Sequence, residues 1–410
     1  MERAGLTHPE TPLGRAALER VVAATGCAVR RGGFVFLRDT SWGARELGQF
    51  ARLEKQAAAM PPPGDGWLCL PTGGTGGTLR FARHDERTLS AAVAGFCAHF
   101  GLARVNAADV LPAHHVSGFM ARARCAATGG AHLPCAWGEI ARGHFPGLAK
   151  QPDGWVLSLV PTQLQRLLDA GRGALEWLRR FRVIFIGGGP AWRQVIDKAA
   201  RARLPLVLSY GMTETAAMIA AQREGDFAAG DRSSGRVMPH ARVEICDAET
   251  GAVLPRGKTG LVRVSAASLF RGYFPETRAG DFHQTDDLAR RDARGGLRIA
   301  GRRDAVIVTG GKKVMPAEVE EVLRAGGCFS DVAVVGVPDA EWGSKVVACH
   351  PAGAGAGFDR AGAEAALCAL AKYKWPKAYV ALGDWPLNAQ GKLNRAALAA
   401  AARAATASRA

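Results

Sequence analysis

Leu206-Val207-Leu208-Ser209-Tyr210-Gly211-Met212-Thr213-Glu214-Thr215 is the stretch that decides the fold class. It opens as a short apolar run suited to a buried strand and passes into a polar, Gly-containing loop. The same grammar occurs twice upstream. Val183-Ile184-Phe185-Ile186 ends in Gly187-Gly188-Gly189-Pro190, and Trp155 to Val160 is bounded by Gly154 and Pro161 and continues into a helix over 162–169. This β-α-β rhythm predicts an α/β domain. In such sheets the loops after the strand C-terminal ends bind ligands.

Toward the N-terminus, Phe34–Leu37 is a strand signal. A helix over 46–60 is closed by Pro61-Pro62-Pro63-Gly64, and Trp67–Leu70 runs as a strand into a Gly-rich segment at 71–78. Leu89–Phe100 has helical spacing. Toward the C-terminus the pattern becomes strand-rich over 231–300, with strands at 242–245 and 261–264. After Gly301-Arg302-Arg303-Asp304 it changes again: strands at 305–308, 332–337 and 346–349, and helices at 316–324 and 361–371. The expectation is a large N-terminal domain over 1–301, with α/β sheets and a strand-rich portion, and a small mobile α+β domain over 302–410. The Ala/Gly run at 352–357 reads as a surface loop, and the Ala-rich tail after Arg395 is expected to fray.

Hydrophobic residues make up 48% of the 410, enough for sizeable cores. No run of 18 or more uncharged apolar residues predicts a membrane span. Met1 to Gly5 lacks an apolar signal core and reads as a cytoplasmic N-terminus. The nine cysteines form no C-x-x-C pair, so no zinc ribbon or thioredoxin-type motif is present, and they are expected to be reduced and mostly buried. The net charge of +16 comes from dispersed Arg residues rather than one basic run, which argues against a nucleic-acid partner. A homo-oligomer is compatible with the sequence.

Four segments carry chemistry. In Thr72-Gly73-Gly74-Thr75-Gly76-Gly77-Thr78-Leu79-Arg80, glycines free backbone N–H groups to face an anion and Thr hydroxyls add donors. No G-K-[ST] follows, so this is not a Walker loop, and a plain Gly-rich turn is the competing reading. Thr213 and Glu214 suit a phosphate oxygen and a magnesium ion, which takes hard oxygen ligands; a helix N-cap by Thr213 is the alternative. Asp287, with Arg302 shortly after, suits ribose hydroxyls, against an ordinary acidic turn. Lys392 on a Gly turn reads either as a solvated side chain or as a mobile cation for charge developing between carboxylate and phosphate.

In order and spacing these segments resemble the adenylate-forming superfamily of acyl-CoA synthetases, peptide-synthetase adenylation domains and luciferases, from about residue 67 to 396. The family's T-S-G-T-T-G-x-P-K falls on Thr72 to Arg80, its Y-G-x-T-E on Tyr210 to Glu214, and its T-G-D on Thr285-Asp286-Asp287. Its G-R-x-x-D falls on Gly301 to Asp304, its K-x-G-G-x-x-V-x-P-x-E-V-E on Val308 to Glu320, and its P-x-x-x-x-G-K-x-x-R on Pro386 to Arg395. Arg80 replaces the family Lys, keeping charge but changing geometry. Asp286 stands where the family prefers Gly. Only about 70 residues precede the phosphate loop, so part of the N-terminal subdomain is expected to be missing.

The resemblance implies ATP, Mg²⁺ and coenzyme A as cofactors and a small carboxylic acid as substrate. It places Thr72–Gly77 and Arg80 on phosphates, Thr213 on the α-phosphate and Glu214 on Mg²⁺. Gly188, Gly189 and Pro190 would border adenine beside Ser209, Tyr210, Gly211 and Met212, with Asp287 and Arg302 at the ribose. Lys392 would serve adenylation, Asp304 the hinge, and Gly310-Gly311 the pantetheine channel. Within the superfamily the segments at 111–118 and 158–168 look most like the o-succinylbenzoate–CoA ligase branch. That puts His115 at the acyl pocket, with Ser117, Ser158, Thr162, Gln163 and Gly187 facing the acid. Another acyl- or aryl-CoA ligase, a carrier-loading adenylation enzyme and a non-catalytic nucleotide-binding homologue remain as alternatives.

Overall fold

The computed structural model describes residues 13–73, 78–151, 153–189, 192–329, 331–352, 358–387 and 393–407. Gly74, Thr75, Gly76, Gly77, Pro190 and Lys392 lie outside the described residues. The chain divides into two compact units: residues 1–191, 198–285 and 290–298, and residues 192–197, 286–289 and 299–410.

In the larger unit, strands β1 (Ala28–Arg31), β2 (Phe34–Leu37), β3 (Leu68–Gly73) and β4 (Leu79–His84) form a four-stranded sheet in that order. Helices α1 (Arg15–Ala24) and α2 (Ala44–Ala58) accompany it. Phe34, Phe36, Phe50, Phe81 and Phe274 pack there edge to face, burying large rings with favourable quadrupole contacts.

The next sheet has seven strands: β5 (Asn106–Asp109), β6 (His132–Pro134), β7 (Trp155–Leu159), β8 (Val183–Ile186), β9 (Leu206–Met212), β10 (Ala217–Ala221) and β11 (Arg236–Val237). Their spatial order is β11-β10-β9-β8-β7-β5-β6. β5 to β9 are mutually parallel, and β10 and β11 are antiparallel additions. Helices α3 (Glu86–Phe100), α4 (Val116–Thr128), α5 (Trp137–Ala141), α6 (Pro161–Asp169), α7 (Arg172–Leu178) and α8 (Arg193–Arg201) fall between or before these strands. The parallel part has the order 2-1-3-4-5, whose switch point lies between β5 and β7; crevices of this kind form at the strand C-terminal ends. Strand β8 is wholly buried, which explains its unbroken Val-Ile-Phe-Ile run.

Helix α3 begins three residues before its predicted start because Asp85 caps it. The Asp85 side chain accepts from Arg87 and Thr88 N–H, and Thr88 Oγ1 accepts from Asp85 N. Strand β9 runs three residues beyond the apolar run, through Tyr210, Gly211 and Met212. A side chain at Gly211 would stand 2.1 Å from the Ala217 carbonyl oxygen, so only Gly lets β9 and β10 close. Four further strands, β12 (Ala241–Cys246), β13 (Gly260–Ala266), β14 (His283–Arg291) and β15 (Leu297–Arg302), form an ordered meander that matches the strand-rich reading.

The smaller unit contains β16 (Ile307–Thr309) and β17 (Lys312–Val314), joined by Gly310-Gly311. Both glycines have positive φ (52° and 72°), as a two-residue hairpin of primed type requires. The sequence reading places a strand at 305–308, but Arg303–Ala305 makes a 3-10 turn, and the strand starts at Ile307. A sheet of β18 (Ala333–Asp339), β19 (Gly343–Pro351) and β20 (Ala378–Leu382) follows, with helices α9 (Pro316–Ala325), α10 (Arg360–Leu367) and α11 (Arg395–Ala407). Helix α10 stops four residues short of the expected end. Through Ala407 the Ala-rich tail is the helix α11 rather than a frayed end, with Leu398 and Ala402 fully buried against Val335, Val380 and their neighbours. Of the Ala/Gly run, 353–357 lies outside the described residues. All nine cysteines are free, but only Cys69, Cys125, Cys246 and Cys349 are buried, and Cys368 is exposed, so burial is less general than expected.

Candidate active site

The C-terminal end of β9 positions the acidic residue of the second segment. Thr213–Thr215 forms a 3-10 turn rather than an α-helix start, so Thr213 is not a helix N-cap. Three neighbours hold this turn by its carbonyls: His84 Nε2 meets Thr213 O at 2.8 Å, Phe270 N donates to Glu214 O at 2.8 Å, and Ser268 Oγ to Thr215 O at 2.9 Å. Because a carbonyl only accepts, His84 Nε2 must carry the proton. Burial pushes the His84 imidazole down to about 4, so the ring is neutral and can serve as a fixed donor.

With its backbone fixed, Glu214 is buried and points its carboxylate at two hydroxyls. Tyr273 Oη donates to Glu214 Oε1 at 2.6 Å, and Thr72 Oγ1 to the same oxygen at 3.3 Å. Arg80, the cation of the Gly-rich segment, lies over the Tyr273 ring at 4.4 Å. Thr72, Arg80 and Glu214, far apart in sequence, thus form one cluster around a residue that sequence reasoning missed. Tyr273 belongs to none of the four segments, and no local pattern marks it. The cluster gathers a hard-oxygen carboxylate, a guanidinium and hydroxyl donors, which suits a divalent cation beside a polyphosphate. The donor set fits Mg²⁺ in that Glu214 supplies an oxygen ligand already oriented by its neighbours.

The other parallel strands end in the remaining candidates. After β8, a side chain at Gly187 would stand 2.9 Å from Ser209 Oγ, and Gly188 has φ 76°. Ser209 Oγ donates to Ile186 O at 3.1 Å, tying β8 to β9, while Tyr210 is buried beside it. On β7, Ser158 pairs with Phe185 and is half-buried. Thr162 is half-buried in the first turn of α6. Gln163 is buried there, and its Oε1 accepts from Val160 N at 3.1 Å, so that oxygen closes the helix.

After β5, His115 occupies the N-cap position of α4 and Ser117 its first turn. Arg122 of α4 binds buried Asp109 at the end of β5, which also accepts from Leu111 N at 3.1 Å; these bonds anchor the loop that carries His115.

In the smaller unit, Arg302 makes a two-point pair with Asp304 (2.8 Å each), and its Nη1 lies 3.5 Å from Asp287 Oδ1. The Asp304 hydrogen bonds, followed by the neighbouring carboxylates, hold the Arg302 pKa above its ordinary value. Arg303 pairs with Asp286 at 2.6 Å, which gives the unusual Asp286 a partner. Glu320, from the segment after Gly310-Gly311, is buried. It accepts two hydrogen bonds from Arg395 (2.8 and 2.9 Å) and one from Val334 N at 2.8 Å. Glu320 and Arg395 close two separate sequence segments on one another and fix the start of α11, where Asn394 caps the helix through Ala397 N.

Sequence and fold together assign this α/β chain to a known family. Residues 15–274 match the family described as AMP-binding enzyme, and the chain belongs to that family. It is 32% identical over 257 residues to a 2-succinylbenzoate–CoA ligase of Enterococcus faecalis, covering 58% of this chain and 50% of that protein. It is 32% identical over 245 residues to an indoleacetate–CoA ligase of Aromatoleum aromaticum, covering 58% and 48%. The chain therefore spans about half the length of the curated relatives it matches. Its fold is that of ATP-bound MatB from Rhodopseudomonas palustris, with a TM-score of 0.77 at 24% identity, covering 96% of this chain and 93% of that one. Among the described residues, no helix is long and apolar enough to cross a membrane.

Proposed function

We propose that this chain is an ATP-dependent carboxylate–CoA ligase that forms an acyl-adenylate and then a thioester. The observation that carries the reading is the convergence of Thr72, Tyr273 and, through the Tyr273 ring, Arg80 on Glu214 at the end of β9. In the first half-reaction the acid's carboxylate attacks the α-phosphorus of ATP and pyrophosphate leaves. In the second the CoA thiolate attacks the acyl carbon and AMP leaves. Thr72–Gly77 and Arg80 hold the β- and γ-phosphates, Thr213 contacts the α-phosphate, and Glu214 ligates Mg²⁺, which offsets phosphate charge. Gly188, Gly189 and Pro190 border the adenine beside Tyr210, and Asp287 and Arg302 serve the ribose. Lys392 neutralises charge between carboxylate and α-phosphate. The domains divide near residue 301, and the C-terminal one, 302–410, turns about Asp304 to bring Gly310-Gly311 to the CoA thiol.

The acid we assign is o-succinylbenzoate, held by His115, Ser117, Ser158, Thr162, Gln163 and Gly187. The relative from Enterococcus faecalis supports this choice. A second reading, an arylacetic acid, is favoured by the indoleacetate–CoA ligase of equal identity. A screen of acids for CoA-dependent AMP release separates them. o-Succinylbenzoate should exceed indoleacetate, benzoate and octanoate, and its analogue without the ring carboxylate should lose about 10-fold in kcat/KM, because polar groups built for it are left unpaired. A stronger response to indoleacetate assigns the arylacetic acid. AMP release with none of them removes the assignment of the acid, and absence of ATP–pyrophosphate exchange with every acid removes the ligase reading.

A further inference from the structure

A second cluster lies in the larger unit and includes His115, the residue assigned above to the acid pocket. Asp39, just beyond β2, meets His114 and His115 in the loop between β5 and α4. One ligand atom from each lies within 4.8 Å of the others. His114 Nε2 stands 3.3 Å from Asp39 Oδ2. Two ligands on one tetrahedral ion, at bond lengths of about 2.0–2.2 Å, sit roughly 3.3–3.5 Å apart. The His114–Asp39 pair is thus already at ligand spacing, and the widest separation in the cluster needs a closure of about 1.5 Å or less.

The surroundings fit a cation better than a simple ion pair. His114 is 7% exposed, and Asp39 Oδ2 at 3.3 Å is the polar atom that faces its Nε2, in a geometry short of a well-formed hydrogen bond. The other Asp39 oxygen accepts from Ser41 N at 2.8 Å and Ser41 Oγ at 2.6 Å, which leaves Oδ2 facing His114, as an outer-sphere partner orients a ligand in metal sites. Two imidazoles and one carboxylate suit Zn²⁺ or Co²⁺ rather than Mg²⁺, which takes an all-oxygen shell.

We propose that Asp39, His114 and His115 bind one divalent transition-metal ion of the Zn²⁺/Co²⁺ class, with a coordination position left open. The proposal does not rest on the ligase reading, since binding is measured without ATP or acid. Full-length protein freed of metal with a chelator is titrated with Co²⁺ alone and followed by visible absorption and calorimetry. One Co²⁺ per chain should bind with a d–d spectrum of nitrogen and oxygen ligands, and Zn²⁺ should displace it and raise Tm. Asp39→Asn and His114→Gln should each weaken binding by about 10-fold or more. Circular dichroism checks their folding, and the milder Ser41→Ala, which only loosens Asp39, should weaken binding a few-fold. Absence of saturable binding, a thiolate-to-metal charge-transfer band, or unchanged affinity in the folded variants overturns the proposal.

Discussion

Replacing Tyr273 by Phe isolates one hydrogen bond at the centre of the candidate site. The ring would keep its edge contact with Phe270 (centroids 4.9 Å apart) and its place under Arg80, while the 2.6 Å bond to Glu214 Oε1 is lost. A hydroxyl bonded to a carboxylate is worth about 1.5–3 kcal/mol. Thr72 reaches the same oxygen only at 3.3 Å and cannot replace it in full, so the lower part of that range applies. About 1.5–2 kcal/mol corresponds to roughly 10- to 30-fold. If Tyr273 holds Glu214 in the orientation that ligates Mg²⁺, Tyr273→Phe should lower kcat/KM for MgATP by about 10-fold and raise the Mg²⁺ concentration needed for half-maximal rate. The KM for the acid should move by less than about 2-fold, because uniform binding of the acid is untouched. Pyrophosphate release measured across a Mg²⁺ series reads all three quantities. Tyr273→Ala should cost more, since the seat of Arg80 goes with the ring. A Tyr273→Phe enzyme with wild-type rate and wild-type Mg²⁺ dependence refutes the orientation argument.

Two further outcomes follow from buried charge. Arg395→Ala removes two hydrogen bonds from the buried Glu320 carboxylate, leaving it Val334 N and Arg324 Nη1 at 3.7 Å, and should destabilise the smaller unit by about 2 kcal/mol, seen as a lower urea midpoint; Arg395→Lys, which keeps a cation there, should lose less. His84 is neutral in the fold, its pKa pushed by burial from 6.5 to about 4. The unfolded chain therefore takes up the proton first. Stability from His84, about 3 kcal/mol, is present above pH 6.5 and lost as pH falls toward 4. His240, also lowered to about 4 by burial, adds in the same direction. Tm measured against pH should fall across that window, and His84→Gln should flatten part of the slope; an unchanged slope would show that His84 is not buried neutral.

Much of this protein is written locally. Apolar runs such as Val183–Ile186 specify buried strands because nothing else hides four consecutive large side chains. The Gly310-Gly311 pair specifies a tight turn because both positions need positive φ. The segments at 72–80, 210–214 and 386–395 stand out as candidates for phosphate and carboxylate chemistry because their Gly, Thr and charged residues are recognisable from local sequence alone. Errors came where a partner distant in sequence decides. The tail after Arg395 has weak amphipathic signal, and its order comes from burial of Leu398 and Ala402 on β18 and β20. Strand β9 outlasts its apolar run because β10 pairs with its polar end.

The same division holds for the site. Sequence alone named Glu214 but could not say what aims it. That depends on Tyr273, 59 residues away, and on His84, 129 residues from the carbonyl it holds. Likewise Asp39 and the pair His114-His115 carry no shared motif, and only folding brings them together. Residue types and local spacing fix which groups are present and how the nearby backbone turns. Contacts between distant segments, whose loop-closure cost the packed core offsets, fix which of those groups meet.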